Sequence, residues 1–323
     1  MATIHHSLHE FDREVMFDMR KMVASMKGSV TGPEARKPFD QLMETTPAAS
    51  GVIYEAATVG GVAGWWCRPK AEADVTAAIL YFHGGAYVVG SALAYEHFVG
   101  QFVVRTKAAA FVPEYGLAPE HPFPAAVDDA QAAYEGLVAL GFTKIVLAGD
   151  SAGGGLALVL LSMVAAKARA GVSVLPAGTL VLSPWTDLAL TGKSMETRSE
   201  ADPLSTRKSL ATTARLYLGE HDARDPRASP LYGDLTGLPP ILIHVGEDEI
   251  LLDDSTRYGD LVEKHGGTSE VHIWEGMVHV FPSNIAVLHA AKAALDEAGE
   301  FLKRCFLSKA VVADHFPEAK VVV

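Results

Sequence analysis

Residues 144–154 constrain this chain more than any other stretch. KIVLA (144–148) is an apolar run of strand length, GDSAGG (149–154) follows at once, and residues 156–168 read as a helix. A strand that turns into a helix through G-x-S-x-G sets its serine on a sharp turn at the end of a sheet. The hydroxyl is then exposed, and the first-turn N–H groups of the helix face any negative charge that develops beside it.

The rest of the chain supplies a sheet for that turn. Residues 51–59 and 64–68 read as a hairpin. Residues 77–82 (AAILYF), 108–112, 145–148, 175–183 and 241–245 read as buried strands, and 270–274 as a strand nearer an edge. Helical patterns fall between them at 93–106, 125–140, 156–168, 255–265 and 284–302. Strands alternating with helices predict an α/β fold, with a mostly parallel central sheet of about eight strands flanked by helices. Right-handed crossovers place the active loops at the carboxyl ends of the strands. Residues 11–27 carry Phe11, Val15, Met16, Met19, Met22, Val23 and Met26 at helical spacing, which predicts an amphipathic helix. The polar stretch 186–236, with a helix near 210–218, is longer than a crossover needs and reads as an insertion above the sheet. The expected division is an N-terminal helical cap segment (1–48), a first core part (49–186), a cap insertion (187–236) and a second core part (237–323).

Composition narrows the partners. With 39 acidic and 27 basic side chains the formal charge is −12, which disfavours nucleic acid and anionic membranes. Apolar runs are short and interrupted, so no stable membrane insertion is expected, and the N-terminus lacks the pattern of a signal peptide. Cys67 and Cys305 are the only cysteines, fitting two reduced thiols and a cytoplasmic protein. Among the 13 histidines there is no H-E-x-x-H, and no metal or other cofactor is expected.

A serine hydroxyl needs a base, and the base needs a carboxylate to fix its tautomer. His279, in a loop after the last strand pattern, is the candidate base. His244 lies inside a strand and reads as structural; His265, His289 and His315 fall on helix or tail surfaces, and His5, His6 and His9 read as solvated. Asp248 directly follows strand 241–245 and is the candidate acid, with Glu247, Asp253 and Asp254 as rivals. His83-Gly84-Gly85-Ala86 follows strand 77–82. Its small residues let backbone amides curl inward and, with the Ala152 N–H, form an oxyanion hole, while His83 braces the loop. Met19, Met22, Tyr87, Trp185 and Leu188 are candidates for an apolar substrate pocket.

HGGAY (83–87), EYGLAPEHPFPAAVDD (114–129), GDSAGG (149–154), SPWTDL (183–188), DPRASPL (225–231), the region of Asp248 and GMVHVF (276–281) together resemble the hormone-sensitive-lipase-like branch of α/β-hydrolase esterases. The resemblance implies the α/β-hydrolase fold with a helical cap, a Ser151–Asp248–His279 triad, and oxyanion donors at Gly85, Ala86 and Ala152. It also implies Asp150 and Glu120 as supporting carboxylates. The chain departs from the pattern at Ala86 (a third glycine elsewhere), Gly116 (arginine), Glu114 (aspartate) and Val280 (glycine), the last narrowing one side of the pocket.

These readings converge on a serine carboxylesterase for small esters with short to medium acyl chains, acting through an acyl-enzyme with water as second substrate. A lactone hydrolase or amidase with the same triad, or a non-catalytic binding protein on the same scaffold, are the alternatives. A homodimer through an exposed edge at 270–274 is the one self-association expected.

Overall fold

A computed structural model of the chain describes residues 2–71 and 74–308. The predicted tail surface at His315 lies outside the described residues. In chain order the strands are β1 (Ala2–His6), β2 (Val52–Val59), β3 (Val62–Pro69), β4 (Ala77–Phe82), β5 (Ala109–Pro113), β6 (Lys144–Asp150), β7 (Gly178–Leu182), β8 (Ile241–Gly246) and β9 (Ser269–Trp274). The helices are α1 (Glu10–Val23), α2 (Arg36–Met43), α3 (Ala92–Thr106), α4 (Ala125–Ala139), α5 (Ser151–Arg169), α6 (Ser194–Thr197), α7 (Arg207–Leu218), α8 (Leu252–Lys264) and α9 (His289–Leu307).

The strands form one sheet in the order β1-β9-β8-β7-β6-β4-β5-β3-β2. Only the β2–β3 and β3–β5 pairs are antiparallel. Every residue of β4 and β5 is buried, as expected for strands covered on both faces. Alternate residues of a strand point to opposite sides. Leu80, Phe82 and Leu147 join the layer containing Tyr134, Leu158 and Tyr258 of α4, α5 and α8. Ile79, Tyr81 and Val146 join the layer containing Phe98 and Phe102 of α3 and Leu295 and Leu302 of α9. Helix α5 is long and apolar enough to cross a membrane, but 72% of it is buried inside the fold as its central helix. Cys67 and Cys305 are free and buried.

Several expectations need correction. Residues 2–6 are not part of a helical cap segment. They pair in parallel with β9, Ile4 opposite His272 and His6 opposite Trp274, and add a ninth strand. Five residues, with only Ala2 and Ile4 apolar, are too short to carry a strand signal of their own; pairing with the backbone of β9 supplies it. Consequently β9 is interior, the edges are β1 and β2, and the edge on which self-association rested is already occupied. Nor is His6 solvated: its ring stacks on Trp274 at 3.7 Å and 3°. Helix α5 also starts at Ser151 rather than 156, running through three glycines, and α9 starts five residues later than the pattern suggested.

The insertion packs against loops that follow the strands, with Phe123 N–H bonding Tyr217 O at 2.7 Å. Leu210, Ala214, Tyr217 and Leu218 of α7 are buried in the same layer as Tyr87 and Trp185. The N-terminal segment is tied to the insertion by Gly28 N–H to Leu204 O (2.7 Å) and Lys27 Nζ to Ser199 O (2.6 Å). Below it, the buried Asp12 of α1 accepts the His289 and Ala290 N–H groups at 2.8 Å each, capping α9 with a negative charge.

Candidate active site

Ser151 is the first residue of α5 and adopts φ +53°, the strained left-handed conformation of the turn. The turn closes only because its flanks are glycine. A Cβ at Gly149 would lie 2.5 Å from Gly153 O, and one at Gly153 would lie 2.1 Å from Phe82 O. The Trp185 N–H bonds Ser151 O at 2.8 Å and fixes the turn from the neighbouring loop.

Ser151 Oγ lies 2.9 Å from His279 Nε2, and His279 Nδ1 lies 2.7 Å from Glu249 Oε2. With its proton on Nδ1, the imidazole donates to Glu249 and offers a lone pair to the hydroxyl. Burial pulls the His279 pKa down, but the charge and hydrogen bond of Glu249, helped by Asp202 and Asp150, outweigh it and leave the pKa raised.

Asp248, the expected acid, is therefore displaced by its neighbour. The Asp248 carboxylate turns outward to Arg20 of α1 at 2.7 Å, while Glu249 is fully buried. The reason is the path of the chain after β8. Glu247 N–H bonds Trp274 O and Asp248 N–H bonds Met277 O, which carries the backbone alongside the histidine loop. Glu249 then folds back beneath it. Its Oε1 accepts the Gly246 N–H (2.7 Å) and the Ser183 hydroxyl (2.7 Å), leaving Oε2 for the imidazole. The rivals are engaged elsewhere. Glu247 meets Arg198 at 3.4 Å, Asp253 accepts the Ser194 N–H, and the buried Asp254 accepts the N–H groups of Thr186 and Asp187.

Ser183 is a further residue without an assigned role in the sequence reading. At φ +47° its hydroxyl donates to Glu249 and accepts the Val280 N–H at 3.0 Å, so one side chain orders both the acid and the histidine loop. Its place just past a strand end, in SPWTDL, was the available signal. Asp202, from the insertion, accepts the Ile250 N–H at 2.9 Å and holds the residue next to Glu249.

The loop after β4 runs through consecutive positive φ values at Gly85 (+115°), Ala86 (+53°) and Tyr87 (+63°). Ala86 thus adopts the backbone of a glycine, at a cost of about 1–2 kcal/mol. No loop or turn hydrogen bond among the described residues uses the N–H of Gly85 or Ala86. Ala152 is in the first turn of α5, where N–H groups lack an intrahelical partner. Gly84 does not belong with these donors, because its N–H bonds Asp150 Oδ1 at 3.0 Å. Asp150 also accepts the Tyr81 and Tyr95 hydroxyls, and burial raises its pKa to about 6 against those hydrogen bonds. The carboxylate next to Ser151 thereby anchors the loop after β4.

His83 braces the same loop. Its Nδ1 lies 2.8 Å from Gly84 O, Tyr115 stacks on the ring at 4.3 Å, and burial lowers its pKa to about 4, so the imidazole is neutral. Glu120 acts from farther out. It is a surface residue paired with Arg36, whose guanidinium donates to Val88 O and Ala118 O just beyond the amide loop.

The predicted pocket residues separate into four groups. Tyr87 and Trp185 are fully buried, and Tyr87 stacks on Tyr217 of the cap at 3.9 Å. Leu188 is buried with its N–H on Ser229, and Val280 sits beside His279. Met19 is half-buried in a separate cluster with Met16, Trp274 and Met277. Met22 is 74% exposed and belongs to no pocket, because only the Asp12–Met16–Met19 side of α1 faces the body.

Residues 79–283 match the family model described as alpha/beta hydrolase fold. An acetyl-hydrolase of Streptomyces hygroscopicus is 39% identical over 251 residues, 77% of this chain and 82% of that protein. An esterase of Acinetobacter venetianus is 34% identical over 273 residues, 83% of this chain and 88% of its own. Among solved structures, an esterase/lipase from an uncultured bacterium shares 38% identity with a TM-score of 0.80, covering 91% of this chain and 99% of the other. A hormone-sensitive-lipase homologue from a metagenome library shares 35% identity with a TM-score of 0.82, covering 90% and 98%. The chain belongs to the alpha/beta-hydrolase family, in its hormone-sensitive-lipase-like esterase branch, and is a carboxylic ester hydrolase.

Proposed function

We propose that the protein hydrolyses small esters with short to medium acyl chains by a serine acyl-enzyme mechanism, with Ser151, His279 and Glu249 as the triad. The observation that carries this reading is the unbroken contact series Ser151 Oγ–His279 Nε2 (2.9 Å) and His279 Nδ1–Glu249 Oε2 (2.7 Å). In the first half-reaction His279 takes the Ser151 proton as the oxygen attacks the ester carbonyl. The carbonyl oxygen, now negative, is met by the N–H groups of Gly85, Ala86 and Ala152, each such donor contributing about 3 kcal/mol to the transition state. The C–O bond to the alcohol breaks, and His279 returns the proton to the leaving oxygen. Water then enters, His279 takes its proton as the oxygen attacks the acyl carbon, the bond from that carbon to Ser151 Oγ breaks, and His279 returns the proton to Oγ, releasing the acid and restoring Ser151. Glu249 stays ionised and stabilises the imidazolium at each stage.

The acyl-length reading rests on the cap. Helix α7 packs Leu210, Ala214 and Tyr217 into the layer that holds Ala86, Tyr87 and Trp185, a compact apolar surround rather than an open trough. The acetyl-hydrolase name of a 39% identical relative points the same way. Hydrolysis of p-nitrophenyl esters from acetate to palmitate, with matched lactone and anilide substrates, tests this. Highest kcat/KM between acetate and octanoate supports the proposal; a maximum at palmitate, or anilide rates equal to ester rates, overturns it. Labelling by a fluorophosphonate in the native protein but not in Ser151→Ala tests the nucleophile separately.

A further inference from the structure

At the outer edge of the sheet, away from the catalytic loops, three metal-type donors converge. His6 Nε2 of β1 lies 2.9 Å from His272 Nδ1 of β9, and that nitrogen lies 2.8 Å from Glu297 Oε2 of α9. The third side of the triangle, His6 Nε2 to Glu297 Oε2, is 3.7 Å. Hydrogen bonding does not account for the cluster. His272 Nδ1 carries at most one hydrogen for two close neighbours, so a hydrogen bond to His6 leaves the carboxylate contact unexplained. The carboxylate approaches off the N–H axis, and Glu297 Oε2 is a buried atom without a hydrogen bond. The His6 ring is fixed by its stack on Trp274, and Glu270 Oε2 lies 3.8 Å from the other ring nitrogen of His272. His272 Nε2 is buried without a hydrogen bond, and at 3.8 Å Glu270 is too far to supply one.

We propose that His6, His272 and Glu297 bind one borderline divalent transition-metal ion of the zinc type, which staples the first strand and the last helix to β9. A triangle of these dimensions leaves a point about 2.0–2.1 Å from all three corners, the usual Zn–N and Zn–O bond length. Two imidazoles and one carboxylate favour zinc, copper or nickel over the hard, oxygen-seeking calcium and magnesium. Three protein ligands leave a fourth position for water, and the side chains of His6 and Glu297 are 19% and 38% exposed, so that water has access. The ion takes no part in ester hydrolysis. It closes a long loop, because β1 runs directly into α1 and so holds the base of the cap. A second grouping, His9–Asp12–His289, is unlike it: the Asp12 carboxylate is already occupied by two N–H groups of α9.

Zinc chloride titrated into chelator-treated full-length protein, followed by calorimetry and by thermal unfolding, tests the site. The expected result is one zinc per chain and a rise of several degrees in Tm. Cobalt(II) in its place gives visible d–d absorption. His6→Phe keeps the stack on Trp274 and Glu297→Gln keeps the shape of α9, so both retain the fold. Each weakens binding by at least the roughly 10–100-fold that loss of an outer-shell partner costs and abolishes the Tm response, with ester hydrolysis unchanged. His289→Ala leaves binding intact. Absence of zinc binding, binding that survives both His6→Phe and Glu297→Gln, or binding lost in His289→Ala would overturn the proposal.

Discussion

The floor and the cap of this active site are built differently. On the floor, Ser151, Ser183 and Val280 all sit at positive φ, Glu249 is fully buried, and both oxygens of its carboxylate are engaged. The backbone strain is held by strands on both sides. On the cap side, α1 meets the site through Arg20, which bridges Asp248, Gly276 O and Ala201 O. Arg20 and Asp248 remain about a quarter exposed, at 28% and 23%. Two adjacent carboxylates thus face opposite ways, Glu249 to His279 and Asp248 to Arg20 of α1. Buried, over-determined contacts fix Ser151, His279 and Glu249, whereas partly solvated pairs hold α1, and in the proposed mechanism that is the side that admits substrate.

This contrast can be broken in steps. Ser151→Ala should lower kcat by on the order of 10⁵ or more with the folded state intact by circular dichroism. Glu249→Gln should cost about 10²–10⁴ in kcat, while Asp248→Asn costs about threefold at most; equal losses, measured on one ester, would erase the distinction between the two carboxylates. Ser183→Ala removes a hydrogen bond to a buried charge worth about 1.5–3 kcal/mol, so kcat should fall roughly 10–100-fold with KM little changed. Arg20→Ala should act the other way, raising KM by about threefold to tenfold with kcat within about twofold, since it loosens a partly exposed pair.

The pH profile sharpens the same comparison. The base works only when neutral, and the Glu249 charge raises the His279 pKa against the opposing effect of burial. Activity should therefore fall with decreasing pH from above the ordinary imidazole value of about 6.5. In the residual activity of Glu249→Gln that acid limb should move to lower pH, whereas in Asp248→Asn it should stay. A profile that shifts with Asp248 instead would return that residue to the triad.

Much of the fold was legible because its signals are local. Residues 77–82 match β4 end for end, and the glycines around Ser151 announce a turn that no Cβ could enter. His279 was found because it follows a strand in a loop. The acid was not, since a run of Glu247, Asp248 and Glu249 offers three carboxylates within one turn and periodicity says nothing about which of them folds inward. Gly84 was misplaced for a similar reason: its amide is chemically equal to those of Gly85 and Ala86 until Asp150 claims it.

The sequence by itself determined the strand–turn–helix at Ser151, the parallel sheet that carries it, and the place of His279 in a loop after a strand. Each follows from short-range sterics and from apolar runs that must be buried. Only the tertiary structure decided that Glu249 rather than Asp248 meets His279, that residues 2–6 complete the sheet, and that His6, His272 and Glu297 converge. Those outcomes depend on which hydrogen-bonding groups from distant segments are left to be satisfied at one place, and no local pattern records that.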